Sequence, residues 1–491
     1  NMKDLRNACY LHPIPSLAKD IPPILGMFNR CKVKQSPQQA LYNLYNAVAV
    51  TELKGYTLMQ FSWMILQLYN KGHLKIQIGI TADAGEYQER TEQKVLAVRK
   101  AMSTANREMW RCDPKRHVEG QTYVQLTQLV QGYIENEKDM HAKSECWQSC
   151  AYYSDAKTHG CYYNLFCAKQ RRCYGKIINC KYIDSYMSVC QADSRGYRRY
   201  NWIEYNNGKI LGKKDICQQS TTKVESWWRW IFWHCSYCFC LCDEQGPKSD
   251  RYFNLREVKA DIANNKVVTG LRFVKVNRVI HLQIQEGGVL PRGGINMTSV
   301  RWRPVDNYTI PGSDVYNGKD YHTLSWEKRA IDLDDLVAPK GSVLTGMRFQ
   351  TWGTHLHLEI MVTSLNFTAG TLNKQRGKST WLGNVNNLRK ELELNKPDVP
   401  TATPAGSVID SRSGQHLLFT HTDIDADAAQ STVPFLDAQP VAPNPPTLLT
   451  GAGIYHKGRP GFGGFIGPKV ETYDFSSHIV AEFPPPKGSL N

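Results

Sequence analysis

Three aspartates, Asp423, Asp425 and Asp427, alternate along the segment HTDIDAD. Carboxylates at alternate positions supply the oxygen ligands that Ca²⁺ prefers. The glycine and the terminal glutamate of an EF-hand loop are missing, so a solvated acidic loop is the favoured explanation and Ca²⁺ is the alternative. No cofactor other than this candidate calcium is expected.

Three histidines occupy similar places in similar segments. His281 and His357 coincide when VVTGLRFVKVNRVIHLQI at 267–284 is aligned with VLTGMRFQTWGTHLHLEI at 343–360, and His416 resembles a third copy. Histidines grouped around a pseudo-axis would suggest a metal site. Equivalent residues also follow from repetition of the fold alone, and we favour this architectural explanation.

Most of the 15 cysteines lie between Cys146 and Cys242. Such a cluster indicates either disulfides or metal sites, and no second C-x2-C pair lies at a zinc-binding distance. If CSYCFCLC is a strand, Cys238, Cys240 and Cys242 share one face and bridge to other segments. The residues predicted to form disulfides are Cys9, Cys31 (as a Cys9–Cys31 loop), Cys146, Cys150, Cys161, Cys167, Cys173, Cys180, Cys190, Cys217, Cys235, Cys238, Cys240 and Cys242. The odd count predicts one free thiol, or a disulfide-linked oligomer.

The sequence contains no motif of a known hydrolase, metalloprotease or nucleotide-binding site. Asp332, Asp334 and Asp335 allow a paired-carboxylate glycosidase site, although their place beside a repeated segment favours a structural role. We therefore predict no catalytic residue and favour a protein that is not an enzyme.

Composition favours an extracellular protein. Asn296, Asn307 and Asn366 begin N-x-T sequons, which together with the cysteines predict a secreted, glycosylated chain. No signal peptide is visible, so we expect a mature chain, and no apolar run approaches the roughly 20 residues of a membrane span. The net charge of +15 favours anionic partners such as an acidic glycan or matrix component over nucleic acid.

Helical patterns occupy the N-terminal part. Ser36-Pro37 is a good helix start, and apolar residues follow it at helical spacing. A second helix is predicted from about Glu86 to Trp110, and a third begins near Gln121. The apolar positions of the first two are Leu41, Leu44, Val48, Leu58, Phe61, Ile65 and Leu68, and then Val95, Val98, Met102 and Met109. Together the three helices predict an antiparallel bundle.

The C-terminal part has the alternation of β-strands. The unit [VL]-[VL]-T-G followed by a strand occurs at 267–284, at 343–360 and as LLTGAGI at 448–454, and the glycine suits a bulge or a positive-φ corner. Three related units predict a pseudo-threefold β-prism, with a β-trefoil or a two-sheet sandwich as alternatives. A short helix is predicted at 382–394.

The predicted fold class is therefore α+β with several domains. Residues 1–35 are an extended lead-in, 36–155 a helical domain, 156–250 a cysteine-rich segment, and 251–491 a β-repeat domain with an irregular Pro/Gly-rich tail.

Long strings in residues 235–440 resemble an uncharacterised family of secreted insect proteins with a domain of unknown function. They include CFCLCDE, SDRYFNLREVKADI and HTDIDADAAQSTVPFLDAQPV. This resemblance implies an extracellular protein and supplies no activity. The Thr-Gly segments are also similar in style to β-prism proteins such as the vitelline membrane outer-layer protein and jacalin-type lectins.

These observations favour a secreted, non-enzymatic protein that binds a glycan or matrix component through its β domain. A membrane-active defence or toxin protein and a carboxylate-dependent hydrolase are the alternatives.

Overall fold

The computed structural model describes residues 34–69, 73–373, 379–384 and 388–481. Over these ranges the chain is mostly β, with 31 strands and five α-helices. It divides into two compact units. The first comprises 1–109, 443–447 and 471–491, and the second comprises 110–442 and 448–470.

The first unit is built on two long helices, α1 (Pro37–Leu68) and α2 (His73–Thr104). The predicted start of α1 is confirmed, because the Ser36 hydroxyl accepts a hydrogen bond from the Gln39 amide at 3.1 Å. The second helix begins well before the predicted Glu86. Its predicted apolar positions are buried, and they are Val95, Val98 and Met102, followed by Met109 beyond the helix end.

The predicted bundle is not what the described residues form. Its third helix is wrong, because the residues after Gln121 form strands β2 (Tyr123–Val124) and β3 (Gln131–Asn136), preceded by β1 (Glu108–Met109). Without that helix, three predicted core positions of α1 remain exposed, and they are Leu58, Phe61 and Leu68.

The cysteine-rich part consists of short strands. After β3 come helices α3 (Glu137–Met140) and α4 (Phe166–Lys169). The strands that follow are β4 (Lys176–Tyr182), β5 (Met187–Gln191), β6 (Tyr200–Tyr205), β7 (Ile210–Leu211), β8 (Thr222–Val224), β9 (Trp227–Arg229), β10 (Trp233–Cys235) and β11 (Tyr237–Asp243). They form a three-stranded sheet in the order β3-β11-β4, a four-stranded sheet in the order β7-β6-β5-β8, and the β9–β10 hairpin.

The remaining strands form larger sheets. They are β12 (Tyr252–Asn254), β13 (Val258–Lys259), β14 (Lys266–Val276), β15 (Val279–Val289), β16 (Ile295–Trp302), β17 (Tyr321–Thr323), β18 (Ala330–Leu333), β19 (Asp335–Val337), β20 (Ser342–Trp352), β21 (His355–Asn366), β22 (Thr371–Leu372), β23 (Ser379–Gly383), β24 (Lys390–Glu391), β25 (Val408–Ile409), β26 (Gln415–Leu418), β27 (Thr420–His421), β28 (Thr432–Val433), β29 (Phe435–Asp437), β30 (Leu449–Gly458) and β31 (Phe465–Thr472). One short helix, α5 (Ile424–Asp427), lies between β27 and β28.

Three of these sheets have the same pairing order. Their strands run β14-β15-β12-β17, β20-β21-β18-β26 and β30-β31-β29-β2. In each, the third strand pairs in parallel with the second, as Tyr252 with Val279, Ala330 with His355 and Phe435 with Phe465. Of these sets of four strands, only the third takes a strand, β2, from a distant part of the chain.

Three short pairings also join the sheets to one another. In each, a short segment that is close in sequence to the strands of one sheet pairs with the long first strand of another sheet. β13 pairs with β20, β19 pairs with β30, and Val441 bridges to Leu271 of β14. The three exchanges connect the sheets in a cycle. Aromatic rings fill the space within, where Phe349 contacts Phe253 and Phe273 at 5.7 and 6.4 Å between ring centres.

At two of the three Thr-Gly pairs, a bulge is confirmed as the form that the predicted bulge or corner takes. The register shifts at Thr269 in β14 and at Thr345 in β20, which leaves one extra residue on each strand. The glycines that follow allow close approach, because a Cβ on Gly270 would lie 2.6 Å from the Cβ of Ala442. Gly346 would place its Cβ 3.0 Å from the Val258 carbonyl.

The predicted helix at 382–394 is wrong over the described part of that segment. Trp381 pairs with Met361 as β23 extends the sheet edge, and Lys390 pairs with Gln415 through β24. Edge pairing therefore overrides the helical pattern of these residues.

Candidate binding cleft

One strand holds the cysteine-rich part together. Cys238, Cys240 and Cys242 of β11 are buried and bridge to Cys150, Cys180 and Cys173. This confirms that alternate cysteines on one strand bond outward to different segments. The other three described pairs are Cys146–Cys235, Cys161–Cys167 and Cys190–Cys217.

Beside this strand lies an open cleft of about 280 Å³. The loop between β4 and β5 supplies Ile183–Tyr186, and the base of the β9–β10 hairpin supplies Ser226, His234 and Ser236. The remaining lining residues are Tyr182, Met187, Asn206, Val224 and Tyr237. Cys235 and Cys238 are adjacent in sequence to lining residues, and both are bonded in disulfides, so this wall of the cleft is fixed covalently.

Hairpin register brings three polar side chains of the cleft together. Trp227 pairs with Cys235, which places Ser226 opposite Ser236, and His234 shares the face of Ser236. His234 Nε2 lies 2.9 Å from Ser226 Oγ, and its Nδ1 lies 3.1 Å from Ser236 Oγ. Each ring nitrogen of His234 therefore has a hydroxyl partner.

Two tyrosines give the cleft an aromatic wall. Tyr182 and Tyr186 are both about half exposed, and the Tyr182 hydroxyl donates to Asp184 Oδ1 at 2.9 Å. An aromatic face next to hydroxyl, amide and imidazole groups suits a ligand that has both apolar and hydrogen-bonding surfaces. The arrangement therefore fits a sugar ring better than an apolar molecule.

Two buried glutamates lie on the strand and helix behind this region. Burial raises the pKa of Glu137 to about 7, and the Ser236 amide donates to its Oε2 at 3.4 Å. Burial likewise raises the pKa of Glu135 to about 7, with the nearby Asp139 charge acting in the same direction. In the folded protein both acids therefore remain mostly protonated below about pH 7.

Because of these glutamates, we expect the free energy of unfolding to decrease as the pH rises from about 4.5 to about 7. In this window the folded state holds a proton that the unfolded chain, with a glutamate pKa near 4.5, releases. Glu137→Gln removes this difference in proton binding. When the pH is raised from 5 to 8, we therefore expect the free energy of unfolding of the wild type to decrease by about 2 kcal/mol more than that of the variant. Denaturant titrations at both pH values measure it.

The comparison between the two proteins isolates Glu137 from other titrating groups. Burial lowers the pKa of His281 and His322 to about 4, which makes stability rise with pH up to about 6.5 in both proteins. Exposed Glu225, changed to Gln, is the control. An unchanged pH slope in Glu137→Gln contradicts the prediction.

The three aspartates predicted as calcium ligands have protein partners. Asp423 caps α5, since its Oδ1 accepts from the Asp425 amide at 3.0 Å and the Ala426 amide at 3.1 Å. Asp425 lies 3.4 Å from Lys209 Nζ, and Asp427 lies 2.8 Å from Arg198 Nη1. Calcium binding there stays a prediction, and the contacts assign capping and ion pairing to these side chains.

The three histidines considered as a metal group have different partners. The His281 ring lies 5.8 Å from that of Tyr308, whereas His357 Nε2 lies 3.6 Å from Glu359. The His416 ring contacts the ring of His355 at 4.7 Å. Over the described ranges, the side-chain groups with metal-ligand spacing contain no histidine, and each includes a cysteine already bonded in a disulfide.

The acidic group on β18 and β19 binds basic side chains. Arg389 Nε lies 3.1 Å from Asp332 and its Nη1 lies 2.7 Å from Asp334, while Asp335 lies 2.7 Å from Lys469. Two carboxylates held by one buried guanidinium form a structural clamp. This arrangement supplies no support for a glycosidase pair.

The predicted glycosylation sites and the remaining cysteines differ in how far the structure describes them. Asn296, Asn307 and Asn366 are all exposed, as glycan acceptors must be. Cys112, which the sequence-based set omits, is disulfide-bonded. Cys9 and Cys31 lie outside the described residues.

The cleft was not predicted from the sequence. Its residues come from four separated stretches, and no motif links them. One signal was available, because serine and histidine flank the aromatic run WWRWIFW at positions that a tight hairpin brings face to face.

The described residues thus define a mostly β, disulfide-bonded protein with an open polar cleft. A family model described as a domain of unknown function (DUF4803) matches residues 28–284, which is more than half of the chain. The chain belongs to this family. The match includes the whole cleft and overlaps only the first part of the region on which the family resemblance was based.

The chain has no match among curated proteins. In the ranges that the structure describes, none of the helices combines the length and the apolar character needed to cross a membrane.

Proposed function

We propose that this protein is a secreted, non-enzymatic binding protein that takes a short stretch of extracellular glycan in the cleft. The observation that carries the proposal is the pairing of half-exposed Tyr182 and Tyr186 with Asp184, Asn206 and His234 around about 280 Å³. This volume lies just below the range of about 300–1,000 Å³ that is usual for ligand sites, so one or two sugar rings are the matching size.

The covalent design of the cysteine-rich part supports the extracellular location. Six described disulfides concentrate between residues 146 and 242. Disulfides persist in oxidising compartments, and the three exposed sequons are compatible with the same compartment.

We infer further that the β sheets form a pseudo-threefold β-prism that acts as the scaffold. The shared pairing order of the three sheets and the cyclic exchange of short strands support this architecture. The β domain was the predicted binding surface, and we now place the glycan site in the cysteine-rich part.

Tyr186→Ala tests the glycan site. We expect this change to weaken binding by at least about tenfold, because an aromatic platform at the centre of a contact carries much of the binding energy. The probes are arrays of sulfated and neutral matrix glycans, followed by calorimetry with the glycan that binds best.

Tyr174→Ala is the matched control, because Tyr174 is exposed in the same cysteine-rich part and does not line the cleft. The proposal fails if no glycan of either class binds, or if Tyr186→Ala and the wild type bind alike.

A second function has one contact in its favour. Ser226 and His234 lie within hydrogen-bond distance, as a nucleophile and its base do in serine hydrolases. The group beside His234 Nδ1 is the Ser236 hydroxyl and not a carboxylate, which weakens the likeness to a catalytic triad. Labelling by a fluorophosphonate probe that disappears in Ser226→Ala would establish a hydrolase, and absence of labelling would exclude this serine as a nucleophile.

A further inference from the structure

The tip of the β9–β10 hairpin exposes an unusual set of large apolar side chains. Trp230 is 71%, Ile231 86% and Phe232 82% exposed, and Trp228 and Trp233 beside them are exposed as well. Isolated apolar residues on a surface need no explanation, but five within a seven-residue run do. These five residues are called the aromatic tip below.

The backbone of the aromatic tip is itself unfavourable for the residues it carries. Trp230 and Ile231 have φ values of 56° and 65°, in the left-handed region where glycine and asparagine are the common choices. For a β-branched residue such as Ile231 this conformation is especially unfavourable, because its Cβ crowds the following carbonyl oxygen. Bulky apolar residues at such unfavourable positions indicate that their exposed side chains have a role in binding.

The base of the hairpin is held rigidly. Cys235 at the end of β10 is bonded to Cys146, and the His234 ring packs 5.0 Å from the ring of Trp228. The aromatic tip therefore projects from a fixed support and does not depend on a flexible loop for its position.

The charge of the surrounding sequence identifies a partner. Between residues 157 and 235, 14 lysines and arginines accompany five acidic residues, and Arg229 lies within the aromatic run itself. Seven of the 14 form ion pairs, and the others leave the segment with an excess of positive charge. Tryptophan with basic residues is the combination that anchors proteins at the boundary between lipid headgroups and acyl chains. An anionic bilayer surface satisfies both the apolar and the basic character.

We propose that the aromatic tip docks this protein on anionic membrane surfaces, with Trp230, Ile231 and Phe232 entering the headgroup region. The cleft shares its hairpin with this tip, so docking would bring the cleft close to the membrane surface. The docking inference does not depend on the glycan proposal, because the residues that contact lipid and those proposed to contact sugar differ.

Vesicle sedimentation with the full chain tests the docking. We expect binding to phosphatidylcholine vesicles that contain phosphatidylserine, weaker binding to phosphatidylcholine alone, and a decrease as salt rises from about 0.1 to about 1 M. The variant Trp230→Ser/Phe232→Ser should bind at least about tenfold more weakly, because two large side chains lose their burial in lipid.

Tyr163→Ser and Ile216→Ser are the matched controls, since these side chains are 92% and 89% exposed and lie outside the hairpin. Equal melting temperatures of all variants show that folding is intact. Docking is overturned if the wild type does not sediment with anionic vesicles or if the tip variant binds as well as the controls. It is also overturned if the variant abolishes a self-association that occurs without vesicles, since the tip would then join two copies of the chain.

Discussion

Arg251→Met is expected to destabilise the second unit by more than about 4 kcal/mol, because Arg251 is completely buried and fully engaged. Its Nη1 binds Asp243 and donates to the Leu324 carbonyl at 3.2 Å. Its Nη2 donates to the carbonyls of Leu129 at 3.2 Å and Glu244 at 2.7 Å. The side chain thus links the end of the disulfide strand to two distant segments.

Removal of the guanidinium leaves a buried carboxylate and several carbonyls without their donor, and each unsatisfied group adds to the loss. Arg251→Lys should recover little, since an ammonium cannot reproduce the planar fork of five donors. The free energy of unfolding from denaturant titration, together with the yield of folded protein, measures the effect.

Arg256→Met is the matched control. Arg256 pairs with Asp306 and Asp320 at a partly exposed site, so we expect a loss of no more than about 1 kcal/mol. If Arg251→Met and Arg256→Met had similar stabilities, the linking role of Arg251 would be wrong.

The sequence correctly predicted those features of the fold that depend only on residues close together in the chain. Alternating cysteines along one strand must point to one side, so the outward bridges of Cys238, Cys240 and Cys242 followed from strand geometry alone. The Thr-Gly bulges were predicted in the same way, from the small residue that a kinked strand needs.

The prediction of a third helix was wrong because burial of every residue hides the alternation of buried and exposed positions by which a strand is recognised. Gln131–Asn136 is buried at every position although β3 lies at the edge of its three-stranded sheet, so no alternation of buried and exposed residues marks it as a strand. The prediction of a helix after Gln121 used the spacing of Tyr123, Leu126, Val130 and Tyr133, which matches a helical stripe by coincidence. Long-range pairing with β11 decides the structure, and no local signal reports that pairing.

The cleft was beyond sequence reasoning for a related cause. The β4–β5 loop and the hairpin base are about 40 residues apart, and only the disulfides and sheet pairings place them together. In the sequence, the aromatic run WWRWIFW could be recognised only as an apolar segment that is too short to span a membrane. That its side chains would be exposed at a turn became evident only from the register of β9 and β10.

Lys457→Met is the second change with a large expected effect. The Lys457 ammonium is buried in β30, 2.7 Å from Asp437 Oδ2 and 3.0 Å from Asp113 Oδ1, and it donates to the Arg111 carbonyl at 2.8 Å. Methionine fits the same volume but leaves two buried carboxylates with no cation. We expect a loss of about 3–5 kcal/mol in the free energy of unfolding, measured by denaturant titration.

Two further variants separate charge from packing. Lys469→Met removes a partly exposed partner of Asp335 and should cost no more than about 1 kcal/mol. In the triple change Lys457→Met/Asp113→Asn/Asp437→Asn, no ionised group of the cluster remains, so much of the lost stability should return. A triple variant as unstable as Lys457→Met would show that the shape of the lysine side chain, and not compensation of the two carboxylates, is what this site requires.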